Sequence, residues 1–235
     1  MKLEQLTAPS LRDLFVKTIQ DAIISGELKI GEVLPTEREF AEQMNISRSV
    51  VNSGLNELQN RGFIEIKPRK GAVVADYIYT GNINTLTALM EYKGIAFTKE
   101  SVRSILEIRK FAELMVVDRI CDTATEEDLD VLGKLLGDMS AATTPKEAAL
   151  IAFEFWHELA YRSGDIIVPL GIQSFKAPVI TLWERYCKKY GISEMVENNR
   201  QLFDYIAARD VVSARACVID YMDKSIEGDL EIYDT

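Results

Sequence analysis

Apolar residues recur at helical spacing from the start of the chain. Leu11, Leu14, Phe15, Ile19, Ala22 and Ile23 mark one face of a helix over 11–24, with Ser10 as its N-cap and Gly26 beyond its end. Pro35 opens a shorter helix over about 36–43, where Thr36-Glu37-Arg38-Glu39 has capping-box spacing. Asn45-Ile46 make a turn. Ser47 caps a third helix running to about Asn60, with Val51, Leu55 and Leu58 as its inward stripe, and Gly62 stops it. The period then changes to two. Residues 63–67 and 72–75 read as strands joined by Pro68-Arg69-Lys70-Gly71, a hairpin with a basic tip. Residues 80–84 read as a linker. Beyond it the pattern stays helical, predicting helices over about 84–93, 98–122, 125–139, 145–163, 166–189, 193–208 and 210–227. Gly137, Pro145, Gly164, Gly191 and Gly228 punctuate them.

This pattern predicts a mainly α chain of two domains. Residues 1–78 form a winged helix-turn-helix with a two-stranded wing, and 79–235 form an all-α bundle of about six or seven helices. No stretch approaches the ~18 uncharged apolar residues of a membrane helix, and the first residues lack the basic-then-apolar pattern of a secretory signal. Cys121, Cys187 and Cys217 are odd in number and far apart. They read as reduced core thiols of a cytoplasmic chain, not a disulfide frame or a zinc site. With no nucleophile–base pair, no glycine-rich phosphate loop and a single histidine, an enzyme is not expected.

A net charge of −10 argues at first sight against a polyanionic partner. Its distribution changes that. Residues 1–77 hold 10 Lys/Arg against 11 Asp/Glu, whereas the remainder holds 17 against 26. The acidity therefore sits in the second domain. Phosphate contacts act within about a Debye length, ~8–10 Å, so a nearly neutral first domain can still grip DNA. The second helix of a helix-turn-helix pair presents its first residues to base edges. Those are Ser47, Arg48, Ser49 and Asn52, with Arg38 at the start of the preceding helix and Lys67, Arg69, Lys70 and Gly71 at the wing. Arg suits guanine, Asn suits adenine and hydroxyls suit phosphates. Helix pairs with surface arginines also occur in proteins that never touch DNA; the hairpin in the position of a wing favours the DNA reading.

The run 31–76 resembles the N-terminal domain of the GntR family of regulators. It carries Leu34-Pro35, Glu37-Arg38 and Ala41, then Ser47-Arg48 and Val51, then Leu58, Gly62-Phe63-Ile64 and Gly71. The resemblance implies a homodimeric repressor or activator on a palindromic double-stranded operator, with Arg38, Arg48 and the wing on DNA. One departure concerns Asn52, which stands where the family usually has Arg. The operator sequence changes accordingly, Asn preferring adenine where Arg takes guanine.

The later region resembles the helical effector domain of the FadR subfamily, through Glu107-x-Arg109 with Glu113, Phe155-Trp156-His157-Glu158-Leu159-Ala160 with Ser163-Gly164-Asp165, and Ala207, Asp210 and Ala214. Many relatives bind a divalent metal there through an Asp and three His. Here the Asp position is Phe153, His157 matches the first His, and Asn199 and Tyr221 stand at the others. One imidazole, one amide and one phenol make a poor metal set, so no metal and no cofactor is expected. His157 reads either as a hydrogen-bonded core residue or, with Asn199 and Tyr221, as the lining of a polar effector pocket. Arg109, Tyr221 and Ser225 fall where the acyl-CoA-responsive members carry Arg, Tyr and Ser, although the Gly and Trp of that last-helix pattern are absent. Arg109–Glu113 reads equally as an ordinary i,i+4 pair. The expected effector is a fatty acyl-CoA or another amphipathic or anionic metabolite. The alternatives are metal-independent response to an organic acid, or a helical interaction module with a vestigial DNA head. Phe153, Phe155, Trp156, Phe175, Trp183, Tyr186 and Tyr190 read as core, and Lys188-Lys189 as a solvated helix end.

Overall fold

The computed structural model describes residues 9–92 and 99–232. The chain divides into two compact units, Met1–Ile95 and Ala96–Thr235. Positions 93 and 98, expected at the end of one helix and the start of the next, lie outside the described residues, as do residues 1–8.

The first unit opens with helices α1 (Leu11–Ile24), α2 (Glu37–Met44) and α3 (Arg48–Asn60). Each starts where a hydroxyl satisfies free backbone donors. Ser10 and Asp13 form one capping box, Thr36 and Glu39 another, and Ser47 accepts from the Val50 N–H. Asn45, left-handed at φ 51°, ends α2 and turns the chain into α3. Phe15, Val16, Ile19, Phe40, Val51, Leu55, Leu58 and Phe63 bury themselves together, and the Phe15 and Phe40 rings meet edge-to-face at 5.3 Å. Gly54 lets α1 and α3 approach, since a Cβ there would lie 2.3 Å from the Phe15 ring.

The wing pairs β1 (Ile64–Lys67) with β2 (Gly71–Val74) antiparallel, in the register Ile64↔Val74 to Lys67↔Gly71. A third segment completes it: the Gly31 and Leu34 N–H groups donate to the Val74 and Ala72 carbonyls, and the Val74 N–H donates to Glu32. This segment gives no alternating pattern and ends in Pro35, so the sequence conceals it. Two short helices follow, α4 (Tyr77–Thr80) and α5 (Ile83–Glu91). The expected boundary at 78/79 falls before α5, yet α5 packs on the first unit. Asn82 donates to the Asn60 carbonyl at 3.0 Å, Thr85 donates to the Arg61 carbonyl, and Ala88 joins the core. These contacts satisfy carbonyls left free at the end of α3.

The second unit is all helical among the described residues: α6 (Lys99–Thr123), α7 (Glu126–Ala141), α8 (Pro145–Arg162), α9 (Val168–Ser174), α10 (Lys176–Tyr190), α11 (Ile192–Ala207) and α12 (Val211–Glu227). α8 packs against α6, α7 and α10, burying Ala148, Ala152, Phe153, Phe155, Trp156 and Leu159. The single helix expected over 166–189 is two, broken at Phe175. Pro178 has no N–H to donate to the Ser174 carbonyl and its ring crowds that carbonyl, so a helix can only restart with Pro178 in its first turn. Arg209, at φ 56°, donates to the carbonyls of Cys121, Asp122 and Ala124 and so closes the end of α6. No described helix is long and apolar enough to cross a membrane.

Candidate DNA-reading surface and effector cavity

Ser47, Arg48, Ser49 and Asn52 all lie exposed on the outer side of α3. The Ser47 and Ser49 hydroxyls stand 2.9 Å apart. Among the described residues Arg48 has no salt-bridge partner, nor have Arg69 and Lys70 at the wing tip, while Arg38 pairs with Glu42 at 2.9 Å and Lys67 with Glu65 at 2.8 Å. A concavity of about 370 Å³ lies between the start of α2, α3 and the wing, lined by Thr36, Arg38, Arg48, Lys70 and Gly71. It gathers three cations beside the N-terminus of α2, whose dipole adds to them. Asn52 is tethered: its amide nitrogen donates to Glu37 at 2.8 Å, and its amide oxygen accepts from Asn56 at 3.1 Å. Arg69 adopts φ 65°, a left-handed conformation that favours glycine, at the second corner of the Lys67–Lys70 turn.

In the second unit a small cavity of about 40 Å³ receives polar groups of Arg109, Asn198, Asn199, Tyr221 and Ser225 within a largely apolar wall that includes Leu106, Trp156, Trp183, Met195, Met222 and Ile232. A more open apolar cleft of about 330 Å³ adjoins it, lined by Ile105, Ile108, Phe111, Phe153, Ile172 and Phe175 among others. Arg109, Trp156 and Trp183 line both. The Arg109 guanidinium lies over the Trp183 ring, 4.5 Å from its centroid, and its Nε and one terminal nitrogen donate to Glu113 at 3.2 and 2.7 Å. The Tyr221 hydroxyl donates to the other Glu113 oxygen. Glu113 is only 4% exposed. Burial raises its carboxyl above the ordinary carboxylate range, against the opposing pull of Arg109 and Tyr221. Burial, with Glu113 beside it, also raises the Tyr221 phenol well above its usual value. Asn199 spends its amide N–H on the Met195 carbonyl at 2.8 Å, and Ser225 donates to the Tyr221 carbonyl at 2.9 Å.

A family model of bacterial regulatory proteins, the gntR family, matches residues 15–74, and the FCD domain model matches residues 104–224, over half the chain by itself. The chain belongs to the GntR family. It is a DNA-binding transcription regulator with an effector-binding FCD domain, not an enzyme. The GntR relatives include the HTH-type transcriptional regulator Mce2R of Mycobacterium tuberculosis, 26% identical over 228 residues, spanning 95% of this chain and 93% of that one. They also include LutR of Bacillus subtilis, 26% identical over 207 residues, spanning 85% and 92%. Among solved structures, Lar, which controls the Listeria monocytogenes agr system, aligns with a TM-score of 0.63 at 14% identity, over 93% of this chain and 96% of that one, and shares the fold.

Within this GntR chain the structure gathers Arg109, Glu113, Tyr221, Ser225 and Asn199, which lie far apart in sequence. It leaves out His157. That residue is half-buried, stacks on Phe153 at 6.0 Å with ring planes 13° apart, and lines neither cavity. It also has no hydrogen-bond partner among the described residues, so the reading of a hydrogen-bonded core histidine gives way to a stacked one. The side chains at the cavity do not fit the divalent metal of metal-binding relatives. The only carboxylate among them, Glu113, is held by a guanidinium, and among the described residues no three His, Cys, Asp or Glu side chains cluster. Trp183, Tyr186 and Asn198 line the cavity unannounced by the sequence. The guanidinium stacked on Trp183 joins helices more than seventy residues apart, which no local pattern signals.

Proposed function

We propose that the chain is a homodimeric, cytoplasmic regulator that reads a palindromic operator through α3 and the wing and responds, without a metal, to an amphipathic carboxylate. The observation that carries the effector reading is Arg109, nearly buried where the small cavity meets the apolar cleft. A guanidinium binds carboxylate in fork geometry, and the cleft lies within the usual ~300–1,000 Å³ of ligand sites. The small cavity alone has room for a few waters at ~10–15 Å³ each. It therefore suits the end of a ligand whose body occupies the cleft. Ligand binding would bias two dimer shapes that hold the reader heads at different separations, by ~1–3 kcal/mol. On the DNA side, three cations in one concavity and the strained backbone at Arg69 support phosphate contacts from Arg38, Lys70 and Arg69, with Arg48, Ser49 and Asn52 at base edges.

The test is fluorescence anisotropy of a labelled operator titrated with octanoate, decanoate and decanoyl-CoA. Decanoate should shift operator affinity, and Arg109→Met should abolish that shift while leaving basal operator binding intact. A response that needs added zinc or manganese and persists in R109M would overturn the reading. A response to the CoA ester alone would replace the carboxylate with an acyl-CoA.

A further inference from the structure

We infer that Glu37 and Asn56 hold the Asn52 amide in one orientation, so that each operator half-site is committed to adenine at the base Asn52 meets. The inference rests on α3 being the helix that enters the major groove. An Asn amide has two N–H donors and an oxygen with two lone pairs, and it can turn end for end. Here it cannot turn freely. The half-buried Glu37 carboxylate only accepts, so the amide end facing it at 2.8 Å must be nitrogen. The other end is the oxygen, which takes an N–H from Asn56 at 3.1 Å, one turn along the same helix. Glu37 is itself fixed as the first residue of α2, where a carboxylate is favoured by the helix dipole.

Each tether uses one hydrogen-bonding site of Asn52, which leaves one N–H and one lone pair. Adenine offers the matching edge in the major groove, the N7 acceptor and the N6 donor. Guanine offers two acceptors, N7 and O6, and its O6 would meet the amide oxygen. A side chain already held needs less ordering when it binds, so the tethers increase discrimination rather than general affinity. Glu37 and Asn56 are thus positioning residues and Asn52 the reader.

The experiment is selection from a randomised duplex library by the full-length protein, with every operator position scored. The wild type should show one symmetry-related pair of positions where adenine exceeds guanine by roughly 5- to 150-fold, the range of one good bidentate contact. Asn52→Arg should turn that pair to guanine. Glu37→Gln and Asn56→Ala should lower the adenine-to-guanine ratio there several-fold and leave the other positions unchanged, with no more than a few degrees lost in melting temperature where E37Q removes a charge favoured by the α2 dipole; a merely structural role would weaken all positions alike. If the wild type selects no sequence, the groove placement of α3 fails and the inference fails with it. If it selects a sequence whose preferences are the same in N52R and E37Q, the groove placement stands and the tethered amide is wrong.

Discussion

Replacing Arg109 by Met removes the cation from a carboxylate that has almost no access to water. Met keeps an apolar stem against Trp183, so the change is chiefly one of charge. Glu113 then has the Tyr221 hydroxyl as its hydrogen-bond partner, and its carboxyl, already raised by burial with Arg109 in place, is raised further once the guanidinium is gone. In the unfolded chain it ionises near 4.5. A folded value above the unfolded one gives stability that is complete below the unfolded value and is lost as pH rises toward the folded one. Each pH unit of forced protonation costs ~1.4 kcal/mol, and burial already exacts part of that cost with Arg109 in place, so relative to the wild type the variant loses at most about 3 kcal/mol at pH 7 and under about 1 kcal/mol at pH 5. The larger figure agrees with the ~3–5 kcal/mol cost of orphaning one partner of a buried pair. Urea unfolding followed by tryptophan fluorescence measures it. The chain has two tryptophans, and Trp156 and Trp183 both lie in the Ala96–Thr235 unit. Arg109→Met should lose most stability at pH 7, and the double variant Arg109→Met/Glu113→Gln should recover most of the loss because no buried carboxyl remains to be protonated. An equal loss at both pH values, or a double variant no more stable than R109M, refutes the reasoning.

Three further outcomes follow. Arg48→Ala should cost roughly 1–3 kcal/mol of operator affinity with relaxed preference at one position, whereas Lys70→Ala should weaken all sequences alike and reduce the salt slope by about 1, both read by anisotropy at several salt concentrations. Arg69→Gly should leave the fold as stable or up to about 1 kcal/mol more stable, because φ 65° suits glycine, yet bind the operator more weakly, which separates the residue's strain from its use. Gly54→Val should destabilise the first unit by about 1–3 kcal/mol in thermal unfolding followed by circular dichroism, since its Cβ would push into the buried Phe15 ring.

Local chemistry made most of the fold legible. The reading of α1 over 11–24 matches its bounds because Ser10 caps one end and Gly26 lies just past the other, and Thr36 and Ser47 start α2 and α3 in the same way. What escaped depends on contacts distant in sequence or on backbone accounting. The 31–34 segment of the wing is visible only through its bonds to β2. α5 reads as part of the helical region, and it packs on the first unit because Asn82 and Thr85 meet carbonyls more than twenty residues earlier. The site divides along the same line. Arg109 and Glu113 sit one turn apart and could be paired on paper. Their joint partner Tyr221 is 108 residues away, and only the packing of α6 on α12 brings it there. His157 misleads for the converse reason. As the lone histidine it draws notice, but the cavity faces other side chains and its ring lies against Phe153.

The charge of the chain poses the remaining question, how a protein of net charge −10 holds DNA. In the first unit most of the acids are already engaged. Asp13 and Glu39 cap helices, and their carboxyls lie below the ordinary range because they accept from Ser10 and Thr36. Glu57 pairs with Arg12 and Arg61, Asp21 with Lys17, Glu42 with Arg38, and Glu37 holds Asn52. Exposed pairs of this kind add little stability, ~0–1 kcal/mol each, but they leave most of these carboxylates already partnered; Glu37 alone of them stands on the reading side, where it holds Asn52 and lines the concavity. Arg48, Arg69 and Lys70, by contrast, have no such partner among the described residues. A phosphate within ~8–10 Å of these three side chains therefore meets cations that no salt bridge offsets. Net charge thus governs how the chain approaches DNA from a distance, and the pairing pattern governs what a phosphate meets on contact.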